Sequence, residues 1–176
     1  MKKEVIIAGA GGQGIMLLGK ILATAAMREN KFVSWLPSYG AEVRGGTAHC
    51  MLVISDKEIG SPYVEKADIL LVLNEPSLEK FKNRTYKRGL LIINSSLVPR
   101  YNHSGITIVQ MPFTERAEAL GNIKVANIVA LGCLLSRDSL VAIKTMEKVI
   151  RDFAPAGKKE LISTNIAALR EGASLK

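Results

Sequence analysis

Two rhythms of apolar and polar residues run along this chain. The segments Glu4 to Ala8, Ala67 to Leu73 and Gly89 to Asn94 are apolar almost throughout. Short runs of this kind read as strands buried on both faces, as in a parallel sheet. Between and after them the spacing turns helical. Ile15, Leu18, Leu22, Ala25 and Ala26 share one face of a helix predicted over Gln13 to Arg28. Lys31 to Leu36 is a second short strand stopped by Pro37, Ser38 to Gly46 a loop rich in turn formers, and Thr47 to Ile54 a β-prone stretch. Pro76 suits the first turn of a helix from Glu75 to about Lys82.

The last third is helical apart from a strand at Ile106 to Met111. A short helix is expected from Thr114 to Leu120. Val125 to Leu135 is apolar nearly all round, broken mainly by Asn127 and Gly132, which predicts a helix fully buried or lodged in a subunit interface. Ser139 to Phe153 repeats at Ala142, Met146, Val149, Ile150 and Phe153, and Pro155 and Gly157 end it. Lys159 to Glu171 is a final helix stopped by Gly172. Strands alternating with helices predict an α/β fold: a single doubly wound, mostly parallel sheet with helices on both faces and a helical C-terminal third.

Composition narrows the picture. A chain of 176 residues suits one domain spanning 1–176, and 48% hydrophobic residues suffice for a core. Aromatics are only 5%, so that core is aliphatic. The 24 basic and 16 acidic residues leave a net charge of +8, which favours anionic ligands, acidic proteins or nucleic acid. The basic residues are scattered and no basic run interleaves with aromatics, so nucleic acid is not expected. No apolar run reaches the roughly 20 residues of a membrane helix. With Met1-Lys2-Lys3-Glu4 leading directly into the first strand, no signal peptide is read, and the expected location is cytoplasmic. Cys50 and Cys133 are too few for an iron–sulfur cluster or a cysteine-only zinc site. His49 adjoins Cys50, but neighbours on a strand face opposite ways, so no metal site is expected.

The candidate chemistry lies in two loops. A-G-A-G-G-Q-G ends the first strand, and Gly9, Gly11 and Gly14 fit G-x-G-x-x-G. Gly9 permits the tight turn, Gly11 a close backbone approach to a ligand, and Gly14 close helix packing. Amides at the helix start suit a phosphate. A tight crossover that merely needs glycines is the alternative. NAD fits poorly, because the carboxylate expected about 20 residues on is replaced by Ser34-Trp35-Leu36-Pro37. The motif also lacks the G-K-[ST] ending of a P-loop, so ATP hydrolysis has little support. The second loop, S-Y-G-A-E-V-R-G-G, carries Tyr39, Glu42 and Arg44 among glycines. Following a strand end, it should approach the Gly9 turn. Arg44 suits bidentate contact with phosphate or carboxylate; taken alone, a surface Glu42–Arg44 pair is the simpler account, but beside the glycine turn the two readings stand even.

G-A-G-G-Q-G, P-S-Y-G-A-E-V-R-G-G-T, V-I-S-D and I-G-S-P, in that order, resemble the gamma subunit of 2-oxoacid:ferredoxin oxidoreductases, most closely the 2-oxoglutarate branch. The resemblance runs from Val5 to about Leu169. It implies an enzyme complex that converts a 2-oxoacid and coenzyme A to acyl-CoA and carbon dioxide while reducing ferredoxin. It implies alpha, beta and, in some complexes, delta subunits as partners. Those chains would carry thiamine diphosphate with magnesium and the iron–sulfur clusters, since neither motif is present here. Gly9, Gly11, Gly12, Gln13 and Gly14 would form the ligand-facing turn. Tyr39, Glu42, Arg44, Gly45 and Gly46 would form a second wall near the partner's active centre. No general base is assigned; Glu42 is the one candidate, with orienting a neighbour its better role. The rival reading is a free-standing Rossmann-like nucleotide-binding module or regulator without catalytic partners; separately, a homodimer is an expected state of the isolated chain.

Overall fold

Six strands form one sheet in the computed structural model, which describes residues 1–38, 47–154 and 159–175. They are β1 (Lys2–Ala10), β2 (Phe32–Ser38), β3 (Thr47–Ser55), β4 (Ala67–Val72), β5 (Thr85–Asn94) and β6 (Thr107–Met111), in the order β2-β3-β1-β4-β5-β6. β1, β4, β5 and β6 run parallel. β3 is antiparallel to both β1 and β2. Connection length explains the exception. A parallel crossover needs about a dozen residues or more, and only residues 39–46 separate β2 from β3.

Successive side chains of each strand enter different cores. Val5 and Ile7 of β1, Leu52 and Ile54 of β3, and Ile69 and Leu71 of β4 face a helical layer. That layer comprises α1 (Ile15–Arg28), α3 (Phe113–Ala119), α4 (Ala126–Arg137), α5 (Ile143–Phe153) and α6 (Lys159–Ser174). Ile6, Met51, Val53 and Leu70 face α2 (Glu75–Phe81), through Leu78 and Phe81, and the extended segments around Val64 and Val98. Helices thus cover both faces, but very unequally. The runs that read as buried on both sides are buried on both sides: Val5 to Ala8 are all inaccessible to solvent.

Several boundaries differ from the sequence reading. β2 continues through Pro37 to Ser38. The strand lies at the sheet edge, where a missing N–H breaks no ladder. α1 begins at Ile15 rather than Gln13, because Gly14 has left-handed geometry. α5 begins at Ile143, not Ser139. Gly172 does not stop the last helix, which runs on to Ser174. Instead α4 and α6 cross with their backbones in contact. A Cβ on Gly172 would strike the carbonyl of Val129, and one on Gly132 the carbonyl of Leu169. α4 is therefore buried by its own chain, with Asn127 through Leu135 all inside. Among the described residues no helix is long and apolar enough to cross a membrane.

Candidate functional site at the carboxyl edge of the sheet

The chain turns opposite ways after β1 and β4. α1 leaves β1 for the helical layer, and α2 leaves β4 for the other face. Adjacent parallel strands whose following elements diverge leave a crevice at their carboxyl ends. The glycine turn lies on one side of it and the α2 cap on the other, where Asn74 Oδ1 accepts from Ser77 N at 3.3 Å. Leu73 N donates to Ala8 O at 3.0 Å and closes the floor between the strands.

The turn exposes Gly11 and Gly12 and half-buries Gln13 and Gly14. Gly12 (φ 91°) and Gly14 (φ 71°) lie in the left-handed region that other residues avoid. Gly14 caps α1 without any side-chain bond, and the first turn of α1 holds no acid. The first helical bond is Leu18 N to Gly14 O, 2.9 Å. The N–H groups of Ile15, Met16 and Leu17 thus lack helical acceptors and carry the positive end of the helix dipole.

Gln13 does not extend toward a ligand. Its Oε1 accepts from Ala10 N at 2.7 Å, and its Nε2 donates to Leu73 O at 3.5 Å. The carboxamide clips the turn to the ends of β1 and β4. Gly9 makes room for it, since a Cβ there would come within 2.6 Å of Gln13 Oε1. Two further carboxamides brace this edge, neither placed in the site from the sequence. Asn94, at the end of β5 and 1% exposed, donates to Leu73 O (3.3 Å) and Thr114 Oγ1 (2.9 Å). Asn127 of α4, 5% exposed, donates to Gly14 O at 3.4 Å. The signal for Asn127 was its being a lone amide in an apolar helix; for Asn94, its ending an apolar strand.

The second loop departs from this same edge. Thr47, where β3 begins, pairs with Ala10, and Ser38, where β2 ends, pairs with His49. Both ends of the connection lie beside the glycine turn. Tyr39, Glu42, Arg44, Gly45 and Gly46 themselves lie outside the described residues. The strand next to β1 on this side is β3, entering at Thr47, so the end of β2 is displaced from the place of a dinucleotide's ribose clamp.

Cys50 and His49 point to opposite faces. Cys50 Sγ donates to Ile15 O at 3.8 Å behind α1, and burial pushes its thiol up to about 12. His49 packs on Phe81 with ring centroids 4.8 Å apart, and burial, with Lys80 and Arg84 nearby, lowers its pKa. Burial also raises the thiol of Cys133. Two buried, protonated thiols on separate elements do not fit the thiolate set of an iron–sulfur cluster. Among the described residues no cluster of His, Cys, Asp or Glu could hold a metal ion.

A mostly parallel α/β sheet with a glycine turn at its switch point places the chain among the open α/β folds that keep a crevice at the carboxyl ends of their strands. The chain belongs to the pyruvate ferredoxin/flavodoxin oxidoreductase family, whose model matches residues 4–175. It is 38% identical to the 2-oxoglutarate synthase subunit KorC of Methanocaldococcus jannaschii, covering 98% of this chain and 92% of that one. It is 36% identical to the ketoisovalerate oxidoreductase subunit VorA of Methanothermobacter thermautotrophicus over 97% of this chain. It spans only 35% of that longer relative. The gamma subunit of a keto/oxoacid ferredoxin oxidoreductase from Geobacter sulfurreducens has the same fold, with a TM-score of 0.84, 30% identity, and coverage of 97% of this chain and 95% of that one.

Proposed function

We propose that this chain is the gamma subunit of a 2-oxoacid:ferredoxin oxidoreductase complex, with 2-oxoglutarate the favoured oxoacid, and that its glycine turn helps receive coenzyme A. The observation that carries the ligand assignment is the uncapped start of α1. Three amides without helical acceptors begin α1 beside the switch-point crevice, and the first turn of that helix holds no acid. Coenzyme A is rich in phosphate and fits that end electrostatically. The +8 charge of the chain favours such a polyanion.

Thiamine diphosphate and iron–sulfur clusters would be held by partner chains, the first supplying the carbanion chemistry and the second a path for electrons to ferredoxin. This chain binds and orients the acyl acceptor. Gln13 and Asn94 hold the carboxyl ends of β1, β4 and β5 in fixed relation beneath it. Arg44 lies on the connection between Ser38 and Thr47, whose ends leave from this edge, and would supply a charged fork.

Arg44→Ala in the assembled complex tests this. It should raise KM for coenzyme A about tenfold to a hundredfold, the weight of one charge-assisted hydrogen bond at roughly 1.5–3 kcal/mol. Decarboxylation of the oxoacid without coenzyme A should change much less. A folded, assembled variant with a normal KM for coenzyme A but lost decarboxylation would place the loop at the thiamine centre instead.

A further inference from the structure

We infer that Asn127 is a positioning residue for the ligand of the glycine turn, acting through Gly14. The inference rests on the reading that this turn receives coenzyme A. Asn127 interrupts an otherwise apolar buried helix, a place where a leucine would bury more apolar surface. Both ends of its carboxamide are occupied. Oδ1 accepts from Ile128 N at 2.9 Å, and Nδ2 donates to Gly14 O at 3.4 Å. The volume Gly14 lacks is the volume Asn127 fills, since a Cβ on Gly14 would fall on Asn127 Nδ2.

Gly14 O is also the first acceptor of α1, taking Leu18 N at 2.9 Å. The dihedral angles at Gly14, φ 71° and ψ 25°, set the direction in which the unpaired amides of Ile15 and Met16 emerge. A glycine holds such angles weakly by itself, because it has so many other conformations open to it. The bond from α4, together with the fit of the carboxamide against a bare Cα, selects one of them. Asn127 thereby sets the orientation of an anion-facing helix end without touching the ligand. Preorganisation of this kind is read in affinity for the ligand.

The experiment uses the reconstituted complex with Asn127→Asp, which keeps the acceptor for Ile128 N but loses the donor, and Asn127→Leu, which restores apolar packing. Both are compared with Gly11→Val, which obstructs the turn directly. Equilibrium binding of coenzyme A by calorimetry and steady-state KM for coenzyme A should each weaken about tenfold in both Asn127 variants, the weight of one buried hydrogen bond. The kcat and the KM for 2-oxoglutarate should stay within about twofold on the same reasoning. If Gly11→Val weakens coenzyme A binding while a folded Asn127→Leu or Asn127→Asp complex binds it normally, the positioning role is wrong and the ligand reading stands. If Gly11→Val also leaves binding unchanged, the ligand reading itself fails. A fall in kcat with both KM values unchanged would likewise overturn the positioning role.

Discussion

Glycines do two different jobs in this molecule, and the contrast shows when a glycine motif marks a site. At the α4–α6 crossing, Gly132 and Gly172 let two helix backbones touch. Both glycines lie within their helices, where backbone N–H groups are taken up by helical bonds. In the turn after β1, a Cβ on Gly12 would meet nothing within 4 Å. The glycine there serves conformation, and the helix end beside it keeps amides without helical acceptors. Missing side chains alone do not distinguish the two regions. What distinguishes them is whether backbone donors are left facing outward.

The crossing should be the more fragile of the two. Gly172→Val should lower unfolding stability by about 3 kcal/mol or more, or prevent folding, since the new side chain meets backbone that cannot yield. Urea unfolding of Gly172→Val beside Gly12→Val measures this. A crossing variant that melts with the wild type would remove the distinction between the regions.

Within the turn the contrast can be sharpened. Gly14→Ala must adopt left-handed geometry and also displace Asn127 Nδ2. It should cost about 2–3 kcal/mol, from roughly 1–2 kcal/mol of backbone strain plus the lost fit. Gly12→Ala carries the strain alone and should cost about 1 kcal/mol. Combining Gly14→Ala with Asn127→Ala should recover part of the loss, a coupling that a double-mutant cycle on urea midpoints reads directly. Strict additivity would mean that the two residues do not share space.

Much of the fold is legible in the amino-acid sequence. The all-apolar runs at Val5, Ile69 and Leu90 are short enough to read as strands covered on both sides, and the apolar spacing after Gln13 reads as a helix. The motifs around Gly9 and Pro37 led to the family that the full-length matches show. Direction and partnership were harder. Nothing in T-A-H-C-M-L-V-I says antiparallel; the short connection before Thr47 says it, because eight residues cannot make a crossover. Gly172 read as a stop because glycine at a helix end usually is one. Its role here depends on α4, some 40 residues earlier, and long-range packing leaves no local pattern. Gln13 likewise counted among the ligand-facing residues, whereas its carboxamide is engaged by Ala10 and Leu73.

The smallest effect separates the two regions by their cysteines. Cys133 follows Gly132 in the crossing, and Cys50 lies behind the turn with its Sγ directed at Ile15 O. Burial raises both thiols, Cys50 to about 12. At pH 8 neither offers appreciable thiolate while folded, so iodoacetamide should label each only through local opening. Coenzyme A bound to the assembled complex should slow labelling of Cys50, which needs α1 to move off β3, and leave Cys133 unchanged. Equal protection of both would mean that ligand binding tightens the whole fold rather than the turn. The raised thiol also sets a sign for alkaline pH. The folded chain holds the Cys50 proton more tightly than the unfolded chain, whose thiol titrates near 9.0. Stability therefore falls as pH rises from about 9 toward 12, at no more than about 1.4 kcal/mol per pH unit for one proton. Cys50→Ala should flatten that part of the stability profile, measured by urea midpoints between pH 8 and 10. An identical slope in the variant would mean that Cys50 meets solvent in the native state, and that α1 is held against the sheet less firmly than its contacts show.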